Sequence, residues 1–247
     1  MPTVTHGLAG VSQGQTIPGG LRDVVGVDSR QVVIDWAPTD TTGTGAINIL
    51  PSGNELRFQA NNGSVSRYTV LNRIIPSDPS RAIQINGFVN SLVDAGYGIG
   101  DAALWFYSPG GIIASSTSRF DVGSLVLTSN NIQIGDFVSE GLFAGADTDA
   151  VAGTIRFRGL ANSRSFVTVE AGAKINATSN YVALVAPRVT QNGAITVNGS
   201  SALVAATALD LTIPVSGGLF DIAVTAGSEV DSPGETILTH KGETYAN

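Results

Sequence analysis

Residues 172–192, GAKINATSNYVALVAPRVTQN, lie over residues 193–213, GAITVNGSSALVAATALDLTI, with Gly172 on Gly193, Ala173 on Ala194 and Val182 on Leu203. Asn176 and Asn198 correspond after a one-residue insertion. Each copy reads as a turn, a short strand, an Asn-containing turn and an apolar strand, with no helical stripe. A unit of about twenty residues built of strand and turn cannot bury its apolar face alone. Copies must therefore stack, each strand pairing in parallel with its equivalent one coil up, which predicts an all-β chain wound as a parallel β-helix. At about 4.8 Å per rung, ten or so rungs would give a rod on the order of 50 Å long. Val182, Leu184, Leu203 and Val204 are predicted core positions, and asparagines at equivalent corners are expected to stack amide on amide.

The rest of the chain reads the same way. Residues 1–30 are Gly-rich and weakly patterned, with a turn signal at Pro18-Gly19-Gly20, and lead into the strand-like QVVIDWA. The expected organisation is one domain: an N-terminal cap over 1–37, the coil over 38–230 and a tail over 231–247. From 44 to 75 apolar clusters alternate with turns such as Pro51-Ser52-Gly53-Asn54 and Asn61-Asn62-Gly63. Residues 79–96 carry a partial helical stripe through Ile83, Phe88, Leu92 and Val93. Gly87 and the Ile83/Ile85 alternation favour strand, a turn at Asn86-Gly87, then a short strand. In WFYSPGGIIASSTSRFDVGSLVLTS, residues 105–129, the apolar runs LWFY and SLVLTS are expected on successive coil faces, with Pro109-Gly110-Gly111 as the corner between them. Pro fixes φ, and glycine tolerates a positive φ that a β-branched residue does not.

Composition narrows function. Only 13% of residues are charged, the net charge is -7 and the pI is about 4.7. There is no basic stripe to neutralise phosphates, which argues against nucleic acid and against an anionic membrane surface as partners. The chain has no cysteine, which removes disulfides and thiolate metal sites and suits passage through an oxidising compartment. No run approaches the ~18 apolar residues of a membrane helix. MPTVTHGLAG lacks the basic and apolar regions of a signal peptide, so the expectation is a secreted chain read from after a removed signal.

Residues that might do chemistry are few. His6 and His240 sit near opposite ends of the chain without acidic companions at ligand spacing, and both read as exposed terminal residues. Asp136, Glu140, Asp147 and Asp149 form an acidic stretch in which Asp147-Thr148-Asp149 is like part of a calcium loop, but the downstream bidentate Glu is missing, so a solvated loop is expected. Asp210, Asp221 and Asp231 are spaced by roughly half a coil and so would not share one face, as polysaccharide cleavage would require. The sequons at Asn62, Asn176 and Asn198 read as turn and ladder positions. No catalytic residue, metal or cofactor is assigned.

The segments RQVVIDWAPTD, VLNRIIPSDPSRAIQINGFV, SPGGIIASSTSRFDVGSLVLTS, GDFVSEG, YVALVAPRVTQNGAITVNG and LFDIAV follow one another along the chain. In order and approximate spacing this set resembles the two-partner secretion domain of filamentous-haemagglutinin-like exoproteins, over about residues 6–225. The resemblance implies a right-handed parallel β-helix with an N-terminal β cap and small extra-helical β elements. It also implies a Gram-negative exoprotein that passes through the periplasm, is recognised there by the POTRA domains of a cognate outer-membrane transporter, and folds at the cell surface or is released. The domain would be a secretion address and a folding seed, not an enzyme. An adhesin that binds glycans or other copies of itself is the second reading, and a β-helical polysaccharide-active enzyme the third. The family's Asn-Arg-Val/Ile element appears as Asn72-Arg73-Ile74. Its Asn-Pro-Asn-Gly-Ile element appears as Ser108-Pro109-Gly110-Gly111-Ile112, with both asparagines replaced.

Overall fold

A computed structural model describes residues 2–38, 43–61, 65–92, 101–139, 154–212, 221–230 and 232–247. Three sheets of parallel strands form because the chain visits them in rotation. Sheet I holds Gln31–Trp36, Arg67–Ile74, Asp101–Tyr107, Ser124–Thr128, Tyr181–Ala186 and the first part of Ser200–Thr212. Sheet II holds Ile47–Leu50, Ile83–Ile85, Ile112–Ala114, Phe166–Val169, Arg188–Gln191 and Leu238–His240. Sheet III holds Gly20–Val27, Glu55–Ala60, Phe88–Leu92, Arg119–Val122, Lys174–Ala177, Ala194–Val197 and Glu243–Ala246. Each pass through III, I and II is one turn of a parallel coil, as the repeat predicts.

Two further strands are antiparallel. Thr3–His6 pairs with Gln31–Trp36, and Ala9–Ile17 with Gly20–Val27, so the first edges of sheets I and III are covered. Within the stretch expected as a cap, Gly20–Val27 and Gln31–Trp36 already pair in parallel with the next turn. Within the stretch expected as a tail, Leu238–His240 and Glu243–Ala246 continue sheets II and III in parallel.

Strand alternation sets the packing, since successive side chains point to opposite faces. Inside the coil one column runs Val32, Val70, Leu104, Leu125 and Val182, and the next runs Ile34, Asn72, Phe106, Leu127, Leu184 and Leu203. Phe106 meets Phe58 and Phe120 edge-on across the interior at 6.5 Å each. The outer face of sheet I is buried as well. Its column Val33, Leu71, Trp105, Val126 and Ala183 belongs to a second core with Phe137, Phe157, Leu209 and Leu211.

That second core exists because the coil is interrupted twice. After Ser124–Thr128 the chain departs through Asn131–Ile132 and the six-residue helix Ile134–Ser139, and comes back along Thr154–Arg158. Strand Ser200–Thr212 runs past the coil edge, pairing antiparallel with Thr154–Arg158 on one side and Asp221–Gly227 on the other. This extra sheet and the helix roof sheet I. Trp105 lies beneath, 5.6 Å from Phe137 and 5.8 Å from Phe157, with its indole N–H donating to the Tyr181 hydroxyl at 2.9 Å. The helix is pinned by Asp136, whose carboxylate accepts from Arg156 Nη2 at 2.6 Å, Nε at 2.7 Å and backbone N–H at 3.1 Å. These bonds hold the Asp136 carboxyl below the usual carboxylate range, against the opposing effect of its burial.

Several expectations are corrected in detail. Val182 stacks on Ser201, and Leu203 on Leu184, because strand pairing fixes an offset of 19 residues there and 20 in sheet III, where Lys174 faces Ala194. Asn176 consequently faces Thr196, not Asn198, and donates to Asp121 at 3.2 Å. Leu203 and Val204 are half-buried on opposite faces, packing against the inner and the outer core respectively. The end of the second repeat copy, from Ala206, leaves the coil for the extra sheet. The excursions consume chain, so each sheet stacks only six or seven parallel strands, a rod of about 30 Å at 4.8 Å per rung. LWFY and SLVLTS share sheet I one full turn apart, Ala103 against Ser124, and the Pro-Gly-Gly corner leads from sheet I into sheet II. Strands Ile83–Ile85 and Phe88–Leu92 lie where the alternation places them, on either side of Asn86-Gly87.

Two measurements check this architecture. Leu184→Asp places an unpaired carboxylate in the inner column, which costs more than the ~2–5 kcal/mol of a Leu→Ala truncation. Against a total stability of about 5–15 kcal/mol the variant is expected to lose its cooperative melt and its β-type circular dichroism. The second concerns Asp136. Its folded value is depressed, so its stabilising contribution is present above the ordinary carboxylate value of 3.8 and is lost as pH falls through the folded value. In a Trp36→Phe background, Trp105 fluorescence should report loosening of the roof below that pH, and Asp136→Asn should loosen it already at neutral pH.

Candidate functional site

The first family-like element lies on strand Arg67–Ile74. Alternation turns Asn72 and Ile74 inward with Tyr68 and Val70, and Arg73 outward. Asn72 is fully buried in an otherwise apolar column, so its amide must find partners. Its Oδ1 accepts from the Trp36 indole at 3.0 Å, and Nδ2 lies 3.4 Å from the carbonyl oxygens of Val70 and Trp105. Arg73 pairs across one rung with Asp35 at 3.1 Å. It also faces Tyr107 in the next rung, where burial pushes the phenol up and the Arg73 charge opposes this.

Trp36 and Ile74 end their strands at a cavity of about 510 Å³ at the first end of the coil interior, with Ile47, Leu56 and Phe106 among its walls. Gln13 and Asp23 supply its polar rim, and the Gln13 amide donates to the Asp23 carboxylate at 3.2 Å. Such a pocket can hold an apolar group; among the described residues its lining presents no nucleophile or acid–base pair. Asn72-Arg73-Ile74 thus organises one end of the rod, since Asn72 fixes the Trp36 ring, Arg73 ties two rungs and Ile74 forms wall.

The second element, Ser108 to Ile112, is a tight turn in which the Gly111 N–H donates to the Ser108 carbonyl at 3.1 Å. It is wedged between neighbouring rungs. Gly111 has φ +121°, and a Cβ there would lie 2.6 Å from the Phe166 carbonyl oxygen above. Gly110 lacks a positive φ, but a Cβ there would strike the Arg81 carbonyl below. Ser108, Gly110, Gly111 and Ile112 are buried and only Pro109 is half-exposed. The Ser108 hydroxyl has no hydrogen-bond partner among the described residues. Arg119, at the next corner, is exposed and donates to the Ser118 and Gly172 carbonyls at 2.7 and 3.0 Å. The two family-like elements lie on neighbouring rungs at the same end of sheet I, since Arg73 pairs with Tyr107, the residue before Ser108; one borders the interior cavity and the other is packed between rungs.

The remaining candidates are scattered. His6 and His240 are exposed, and His240 Nε2 lies 3.1 Å from the Thr244 hydroxyl. Asp210 and Asp221 sit on the extra sheet, off the stacked coil, and Asp210 pairs with Arg158 at 2.7 Å. Glu140, Asp147, Asp149, Asp231 and Asn62 lie outside the described residues. Among the described residues no group of three or more His, Asp or Glu is placed to hold a metal ion, and no helix is long and apolar enough to cross a membrane. The sequence reading missed the Trp36–Asn72 bond and the cavity. The alternation of Val32, Ile34 and Trp36 marks Trp36 as inward, but its partner depends on the rung register.

No protein-family model and no curated protein matches the chain. Among solved structures it is similar to the crystal structure of the HMW1 secretion domain from Haemophilus influenzae, with a TM-score of 0.61 and 16% identity over 93% of this chain and 49% of that one. The chain thus spans about half the length of that neighbour. At this identity the likeness is one of fold.

The corner yields a graded test. Gly111→Val combines a disfavoured φ, costing about 1–3 kcal/mol, with a clash against Phe166. Gly110→Ala should destabilise through the Arg81 contact alone. Ser108→Ala removes a buried hydroxyl without a partner and should leave the melting temperature unchanged or slightly raised.

Proposed function

We propose that this chain is a secretion-recognition and folding-nucleation domain of a Gram-negative exoprotein, engaged in the periplasm by the POTRA domains of a cognate outer-membrane two-partner transporter and displayed at, or released from, the cell surface. The observation that carries this reading is the likeness in fold, over 93% of the chain, to a solved secretion domain. The order of the family-like segments along the same chain supports it. On this reading the coil is right-handed, residues 1–37 act as its cap, and the domain performs no catalysis.

Burial bears on how a transporter would read the two elements. A partner cannot touch Asn72, Ser108, Gly110 or Gly111 once the rungs have closed over them. Their roles in the folded domain are those of a polar brace and a corner, and direct reading of these side chains belongs to the chain before it coils. Arg73, Pro109 and Arg119 retain surface after folding.

The test is export. With a signal peptide attached and the cognate transporter co-expressed, the domain should appear in the medium. Without the transporter it should stay in the periplasm. Efficient release from cells lacking every such transporter, with periplasmic markers retained, would overturn the proposal. Asn72→Ala should lower export in step with its loss of stability, whereas Ser108→Ala with lowered export at an unchanged melting temperature would mark the unfolded corner as the element read.

A further inference from the structure

The chain contains only two lysines, Lys174 and Lys241, and both line one surface groove of about 280 Å³ where the chain turns from sheet II into sheet III. In register, Lys174 faces Ala194 on the next rung, and Ala194 faces Glu243 on the rung after. The short Ala194 side chain and the bare Gly193 leave a notch between them. One wall carries Lys174, and the other, about 9.6 Å away at two rung spacings, carries Lys241 and Glu243. Asn192 also lines the groove, but its amide oxygen, which has no hydrogen-bond donor among the described residues, is buried.

The lysines differ from six of the chain's eleven arginines, which form ion pairs. Arg22 and Arg57 share Glu55, Arg73 pairs with Asp35, Arg156 with Asp136, Arg158 with Asp210 and Arg188 with Glu235. Neither lysine ammonium has an ion pair or hydrogen bond with any described residue. In a chain of net charge -7, two unpaired cations flanking one notch concentrate positive potential there. The notch also offers an acceptor, the Glu243 carboxylate, which requires a hydroxyl donor from whatever occupies it. A simple oxyanion would serve the lysines and leave that acceptor unserved.

We propose that this groove binds an acidic sugar: a carboxylate held between Lys174 and Lys241, and a ring hydroxyl donating to Glu243. The groove is open along the rod, so the sugar can be a unit within a longer acidic polysaccharide. The site is independent of export, and its test uses the purified folded domain without a transporter.

The probes are trigalacturonate, its methyl ester and inorganic phosphate. Calorimetric titration should show saturable binding of trigalacturonate that weakens with added salt, and much weaker binding of the other two. Lys174→Gln and Lys241→Gln should each reduce affinity by about tenfold, the loss of one charge-assisted contact, at an unchanged melting temperature. Because the protein has just these two lysines, amine acetylation read by mass spectrometry reports the site in the unaltered chain, and trigalacturonate should slow modification of both. Absence of binding, unchanged affinity in the two variants, protection of neither lysine, or equal binding of phosphate would each overturn the proposal.

Discussion

Everything in this rod depends on keeping like side chains in line from one rung to the next. Parallel strands stacked at about 4.8 Å give each inward residue a neighbour above and below, and the interior is the sum of those columns. A column tolerates little deviation. Ile34, Phe106, Leu127 and Leu184 fill theirs with apolar atoms, and the single amide in it, Asn72, is accommodated because Trp36 turns its indole N–H toward it. The corners obey the same spacing. Gly110 and Gly111 lie so close to the adjacent rungs that added side-chain atoms would collide with backbone.

Sheet I carries a second obligation. Its strands are apolar on both faces, so Trp105 and its column would be stranded in water if the coil were all there was. The two excursions answer this by laying a short antiparallel sheet and one helical turn across that face, held at the edge by Asp136 and Arg156. The later strands of sheet III, by contrast, alternate, and their polar outer face carries the groove flanked by the two lysines.

The sequence displays part of this openly. Alternation in Ile83-Gln84-Ile85, the Asn-Gly turn after it and the Pro-Gly-Gly corner are local signals, and the strands and turns stand where those signals put them. The unbroken apolar runs LWFY and YVALVA differ from such alternation in a way that reports burial on both faces. What covers the outer face is not written locally. ALDLT after Ala206 has the same composition as the coil strand it extends, and only its antiparallel partners show that it has left. Similar residues at an offset of 21 are easy to align by eye, whereas the pairing selects 19 in sheet I, a shift of two that keeps the inward face, and 20 in sheet III, where a slip of one residue would turn every inward side chain outward. The Trp36–Asn72 bond and the lysine groove join residues from different rungs, so neither can be seen until that offset is known.

The roof over sheet I also changes how such a rod comes apart. A plain solenoid is a row of nearest-neighbour contacts and can fray rung by rung from either end. Here Thr154–Arg158, emerging within the fourth turn after its sheet I strand, is clasped to residues 208–212, where the last strand of sheet I runs past the coil. The turns between them are spanned by a bracket, and Trp105 on an earlier turn is wedged beneath it. Rungs inside the bracket cannot peel away singly without opening it, so a stretch built from short-range repeats acquires the all-or-none unfolding of a closed domain.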